Sequence, residues 1–60
     1  MFSCTTIDSA ISSARREANE CESDQHIVAI GDRFQVVDEF DLTEWQESRV
    51  VETVYFDDPV

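Results

Sequence analysis

Residues 26–40, HIVAIGDRFQVVDEF, decide the fold of this chain. Two β-prone runs, His26 to Ile30 and Arg33 to Phe40, flank the dipeptide Gly31-Asp32. Glycine followed by aspartate between such runs is typical of a two-residue hairpin, with Gly31 in the first position of a type II′ turn. Closing that turn on its flanking residues predicts one apolar face, made of Ala29, Phe34, Ile27 and Val36. The other face receives the pairs Ile30 with Arg33, Val28 with Gln35, and His26 with Val37.

Upstream of the hairpin, the spacing of small and apolar residues predicts a helix from Thr5 to about Asp24. The stripe consists of Ile7, Ala10, Ile11, Ala14, Ala18 and Cys21. Thr5 followed three residues later by Asp8 predicts a capping box, with Phe2 and Ser3 as the incoming chain. The small alanine side chains permit a close approach of helix and sheet.

Downstream, residues 41–48 are expected to form a connection with a short helical turn around Trp45, capped by Asp41 or Thr43. Arg49 to Phe56 is then a third strand, with the Val50, Val54 and Phe56 side inward, and the segment Asp57-Asp58-Pro59 ends it. The sequence therefore predicts the α+β class: one N-terminal helix packed on a three-stranded antiparallel sheet (α-β-β-β), arranged as a meander, in a single domain of residues 1–60.

Composition argues against catalysis and against a metal or cofactor site. The chain has one glycine, so it has no Gly-rich phosphate loop, and its one histidine, His26, forms no readable nucleophile–base pair. Cys4 and Cys21 bracket the predicted helix and would lie about 25 Å apart, beyond the ~7 Å limit for a disulfide, so both are expected to be free thiols. We expect a protein that is not an enzyme and that binds no cofactor and no metal.

Location and direct ligands follow from the same composition. No stretch approaches the roughly 20 apolar residues of a membrane helix, and the N-terminus lacks the regions of a signal peptide, which predicts a cytoplasmic protein. With 14 Asp and Glu against 4 Arg, the formal net charge is −10, which argues against direct binding of nucleic acid or of acidic lipids.

The acidic residues are unevenly distributed, because all except Asp8 lie after residue 16. The densest cluster consists of Asp38, Glu39, Asp41, Glu44 and Glu47; a second, at the end of the predicted helix, consists of Glu17, Glu20, Glu22 and Asp24; a third consists of Glu52, Asp57 and Asp58. Acids at a helix C-terminus face the negative end of its dipole and cost about 0.3 to 1 kcal/mol each. Carboxylates kept at that cost indicate that the charge is useful, and solubility alone is the simplest alternative use.

A basic surface is the partner that such charge fits. Carboxylates two apart on a strand or three apart on a helix have spacings of the order of the phosphates in duplex DNA. We therefore predict that the first two clusters bind a basic nucleic-acid-binding protein or complex, by steric and electrostatic competition with nucleic acid.

A short, acidic α-β-β-β chain with free cysteines and three carboxylate clusters resembles the small phage-borne anti-CRISPR proteins of the DNA-mimic kind. The resemblance covers size, charge and architecture, and no diagnostic motif accompanies it. It implies an inhibitor whose partner is the DNA-binding surface of a CRISPR complex, for example the PAM-recognising subunit of a type I complex, inside a bacterial host.

An adaptor or antitoxin-like module is the alternative. The residues Val28, Ile30, Val37, Val51 and Tyr55 are expected on the sheet face away from the helix and, if uncovered, would suit homodimerisation or partner docking. Trp45, set among the acids, is either a lid over the core or an exposed interface anchor, and we expect the core position because a small domain rarely leaves its only tryptophan unused.

Overall fold

The computed structural model describes residues 2–56 of the chain. Its strands are β1 (Phe2–Cys4), β2 (Gln25–Ile30), β3 (Arg33–Asp38) and β4 (Val50–Val54). Its helices are α1 (Ile7–Cys21) and the one-turn α2 (Glu44–Glu47), and a 3-10 turn spans Glu39–Asp41. The predicted end of the third strand, at residues 57–59, lies outside the described residues.

The central hairpin has the predicted register. β2 and β3 pair antiparallel with Ile30 opposite Arg33, and the pairing continues to Gln25 opposite Asp38. Gly31 has a φ of 61°, whereas Asp32 is not among the residues of positive φ. Positive φ at the first turn position alone is the signature of a type II′ turn, which glycine adopts without steric cost.

Helix α1 packs across the sheet through its alanines, as the stripe predicts. Ala10 and Ala14 are fully buried against Ile27 and Val36 of the hairpin, with Phe34 partly buried beside them. Burying a side chain of the size of Ile27 contributes about 1.5 to 3 kcal/mol. The prediction of an α+β fold, with an N-terminal helix packed on an antiparallel sheet, is confirmed.

Helix α1 is shorter than predicted, since it begins at Ile7 and ends at Cys21, and its N-cap lies one residue later than predicted. Thr6 is the N-cap, and its Oγ1 accepts a hydrogen bond from Ser9 N at 3.2 Å. The predicted box of Thr5 with Asp8 does not form, because Phe2–Cys4 runs as a strand beside β3 and Thr6 is the first residue placed to cap. Both cysteines are free, as expected.

The sheet order, β1-β3-β2-β4, corrects the predicted meander in two respects. The residues expected to be incoming chain form a fourth strand, and the last strand pairs with β2 instead of β3. β3 ends beside Gln25, whereas β4 begins beside Val28, so the chain must run back along β2 between them. α1 occupies one face of all four strands. The connection, which we call the crossover segment (residues 39–49), therefore passes over the opposite face.

A β-bulge changes which side chains of β4 point inward. The β2–β4 register shifts between Ile27 and Val28, which lie opposite Glu52 and Val50, so that Val51 is the extra residue. Because one extra residue reverses the alternation, Val50 and Val54 do not share a face as predicted. Val54 packs on the helix side of the sheet and Val50 lies opposite Val28.

Candidate functional site: a carboxylate surface

Carboxylates from the two main acidic clusters, Glu17 from one and Asp38 and Asp41 from the other, line one groove. Among the described residues, β1 pairs with β3 from Phe34 to Val36, so the pairing described there stops before Val37 and Asp38. The groove has a volume of about 200 Å³ and is lined by Glu17, Cys21, Gln25, Val36, Val37, Asp38 and Asp41. Side chains from the end of α1 and from the end of β3 therefore converge, although the two clusters are separate in the sequence.

Asp38 accepts three hydrogen bonds at this groove. Its Oδ2 accepts from Ser23 Oγ at 2.6 Å and from Gln25 Nε2 at 3.0 Å, and its Oδ1 accepts from Phe40 N at 2.9 Å. These bonds, led by that from Ser23, hold the pKa of the Asp38 carboxyl below its ordinary value of 3.8. Asp38 thus has a structural role, as N-cap of the 3-10 turn and as the acceptor for two buried polar side chains, that the charge pattern did not predict.

Asp24 has a comparable role at the same end of the sheet. Its carbonyl oxygen accepts from Glu39 N at 3.1 Å, and its Oδ1 accepts from Phe56 N at 2.7 Å. One residue therefore fixes the chain where it leaves β3 and where it leaves β4. Like Asp38, Asp24 is only partly exposed.

The remaining predicted site residues are placed differently. Six carboxylates are solvent-exposed, namely Glu20, Glu22, Glu39, Asp41, Glu44 and Glu47, and Glu17 is partly exposed. Glu22 ends α1 in the left-handed region, at a φ of 53°, and its backbone N–H donates to Ala18 O. In the third cluster Glu52 is exposed, while Asp57 and Asp58 lie outside the described residues.

The groove carries an exposed thiol in a negative environment. Cys21 Sγ donates to Glu17 Oε2 at 3.5 Å. That hydrogen bond and the nearby charges of Glu17, Asp38 and Glu20 raise the pKa of the Cys21 thiol. The thiolate is disfavoured, so Cys21 is a poor nucleophile, unlike the cysteines of catalytic sites, whose pKa is lowered.

Trp45 is not in the core, which corrects the expected position. Its side chain is 54% exposed on the crossover segment, and Arg49 Cζ lies 5.8 Å from the centroid of its ring. The buried residue of α2 is Gln46, whose Oε1 accepts from Thr43 N and Thr43 Oγ1 at 3.0 and 3.1 Å. Of the two predicted caps, Asp41 and Thr43, it is Thr43 that caps α2, and Gln46 is its capping-box partner.

Two of the five apolar residues that supported the adaptor alternative are buried. Val28 and Val37 lie on the face spanned by the crossover segment and are 0% and 2% exposed. Ile30 is partly exposed, and Val51 and Tyr55 are exposed. The five residues therefore do not form one open patch.

The described residues contain neither a cluster of metal ligands nor a helix that could span a membrane. Within residues 2–56, no three His, Cys, Asp or Glu side chains are grouped as metal ligands would be. Over the same residues, no helix has the length and apolar character needed to cross a membrane. In comparisons with protein-family models, with curated proteins and with solved structures, nothing matches the chain.

Proposed function

We propose that this chain is a non-catalytic inhibitor that mimics nucleic acid and occupies the DNA-binding surface of a host defence complex, as anti-CRISPR proteins of the DNA-mimic kind do. The observation that supports it is that Glu17, Asp38 and Asp41, which come from two separate acidic clusters, line one groove of a small domain. Glu17 lies on the α1 side of this groove and Asp38 and Asp41 on the other side, while Glu20, Glu22 and Glu39 are exposed members of the same clusters.

The mechanism is competition. A surface that binds phosphates through Arg and Lys presents a positive field, and a rigid array of carboxylates is attracted to the same field. Rigidity matters because a preorganised surface loses little entropy on binding. The bonds of Asp24 and Asp38 supply that rigidity, so these two acids serve the surface by holding it in place.

A PAM-recognising subunit of a type I CRISPR complex is the partner we propose, because PAM reading requires a basic groove that accepts duplex DNA. The protein would act in the cytoplasm of the bacterial host. Binding would be fast and would weaken steeply with salt, as expected for an interface dominated by charge.

A competition assay tests the proposal. A purified type I surveillance complex is bound to a fluorescent duplex that contains its PAM, and the unlabelled protein is titrated in while anisotropy is recorded. We expect displacement of the duplex by the wild-type protein. The variant Glu39→Lys/Glu44→Lys should displace it at least about tenfold less well, because it reverses two exposed charges of the densest cluster.

The matched control is Asp8→Lys/Asp32→Lys, which makes the same change in net charge at exposed positions outside the clusters. It should retain most of the inhibition. Equal losses in both variants would show that only total charge matters, and no displacement by the wild-type protein would refute this choice of partner. Asp38 is left unchanged because its replacement would disturb the fold.

A further inference from the structure

Two aromatic side chains project into solvent at the same end of the sheet. Phe40 is 83% exposed and Tyr55 is 73% exposed, both well above Trp45. Phe40 directly follows Glu39, and Tyr55 directly precedes Phe56. The backbone N–H groups of Glu39 and Phe56 both donate hydrogen bonds to Asp24. The backbone next to each ring is therefore held by a hydrogen bond to Asp24.

Packing does not explain these positions. A domain of 60 residues buries only about 60% of its surface on folding and has little apolar material to spare. Large aromatic side chains left in water on a fixed backbone are typical of interface anchors. Carboxylates next to Phe40 in the sequence indicate the charge of the partner, since Phe40 lies between Glu39 and Asp41, and all three are exposed.

Charge complementarity requires a cationic partner group, and the rings select which cation. A carboxylate attracts lysine and arginine alike, whereas an aromatic face beside a carboxylate favours arginine. The planar guanidinium group stacks on a ring while its N–H groups donate to a carboxylate in the same plane. The ammonium group of lysine is more strongly hydrated and has no flat face to stack. The chain contains an example, because Arg49 lies over the ring of Trp45.

We propose that Phe40 and Tyr55 form an arginine-binding surface, on which guanidinium groups of the partner stack while Glu39 and Asp41 pair with their charge. The inference rests on the proposed function in requiring a basic partner, and it specifies arginine as the side chain recognised. It carries its own test, which needs no CRISPR complex.

The test compares two homopeptides of equal length, one of arginine and one of lysine, by isothermal titration against the full chain at fixed ionic strength. We expect the arginine peptide to bind about two- to fivefold more tightly for each ring engaged. The variant Phe40→Leu/Tyr55→Leu retains apolar side chains and removes the aromatic faces, so the preference for arginine should disappear while binding of the lysine peptide is unchanged. Ile7→Ala, at an exposed apolar position on α1, should leave both affinities unchanged.

Equal affinity of the wild-type protein for the two peptides would overturn the proposal. So would a preference for arginine that survives in the double leucine variant, because the carboxylates alone would then account for it. Circular dichroism of the variant establishes that the fold is intact, as expected for two exposed positions. Failure here with success in the duplex competition assay would leave nucleic-acid mimicry standing, and the reverse result would retain the arginine surface and reject the CRISPR partner.

Discussion

Replacing Asp38 by alanine should destabilise the protein more than any other single change to its acidic surface. The carboxylate accepts three hydrogen bonds, and two of their donors, Ser23 and Gln25, are only 7% and 2% exposed. A hydrogen bond contributes about 1 kcal/mol net and more when its acceptor is charged, and a buried donor left without an acceptor adds its desolvation cost. We expect a loss of about 3 kcal/mol, against a total stability of about 3 to 9 kcal/mol for a chain of this length.

Urea denaturation followed by far-ultraviolet circular dichroism measures this loss. Asp32→Ala is the matched control, because it removes the same charge from an exposed position in the hairpin turn and so reproduces any relief of charge repulsion. We expect its stability to stay within about 0.5 kcal/mol of wild type. A loss below about 1 kcal/mol for Asp38→Ala, or equal losses in the two variants, would refute the structural role of Asp38.

The same carboxylate makes a specific contribution to the pH dependence of stability. Its pKa is lower in the folded chain than the ordinary 3.8, so the unfolded chain takes up the proton first as the pH falls. The stabilisation is complete above that value and is lost as the pH falls through the lowered pKa. The difference in unfolding free energy between wild type and Asp38→Asn should therefore shrink from neutral pH to about pH 3, and a constant difference would contradict this.

Three further changes test the fold and the groove. Gly31→Ala should cost about 1 to 2 kcal/mol, because the φ of 61° is strained for alanine although nothing lies within 4 Å of an added Cβ; unchanged stability in urea would argue against the type II′ turn. Glu17→Gln should make alkylation of Cys21 by iodoacetamide several-fold faster at mildly alkaline pH, as measured by peptide mass spectrometry, and equal rates would exclude Glu17 as the cause of the raised pKa. Ala14→Leu should destabilise by about 1 to 3 kcal/mol in thermal unfolding, whereas Ser12→Leu on the exposed side should not, and similar effects would contradict the close packing of α1 on the sheet.

Local signals in the sequence were sufficient for the hairpin and the helix. Gly31-Asp32 determines both the turn and the pairing of its flanking strands, and the spacing of the alanines defines the buried stripe of α1. Both depend on residues close together in the chain, where side-chain periodicity is a direct consequence of backbone geometry.

The sheet order depends on long-range pairing, which periodicity does not encode. β4 has suitable partners in both β2 and β3, and the choice is made by the path of residues 39–49 over the open face. The length of the segment 39–49 could have indicated a crossover, because hairpin loops usually have about two to five residues, whereas crossover connections are longer. Recognising it would also have predicted that Val28 and Val37 are buried.

The sequence predicted the carboxylates of the candidate surface but not the hydrogen bonds that hold Asp24 and Asp38 in place. An aspartate at the end of a strand is a common N-cap of a following turn, so the hydrogen bond that Phe40 N donates to Asp38 could have been predicted from the sequence. The bonds from Ser23 and Gln25 could not, because they join residues that approach only after the hairpin has formed.

The sheet order also predicts a sequence of events in folding. The central strands β2 and β3 are joined by a two-residue turn, whereas the outer strands β1 and β4 come from opposite ends of the described chain and pair with them only by closing longer loops. Loop closure costs entropy that grows with loop length, so the hairpin forms at the lowest entropic cost and provides the template on which both ends later assemble. The hairpin residues that pair on both sides should belong to the most persistent part of the molecule, and we expect local opening to begin at the two outer strands.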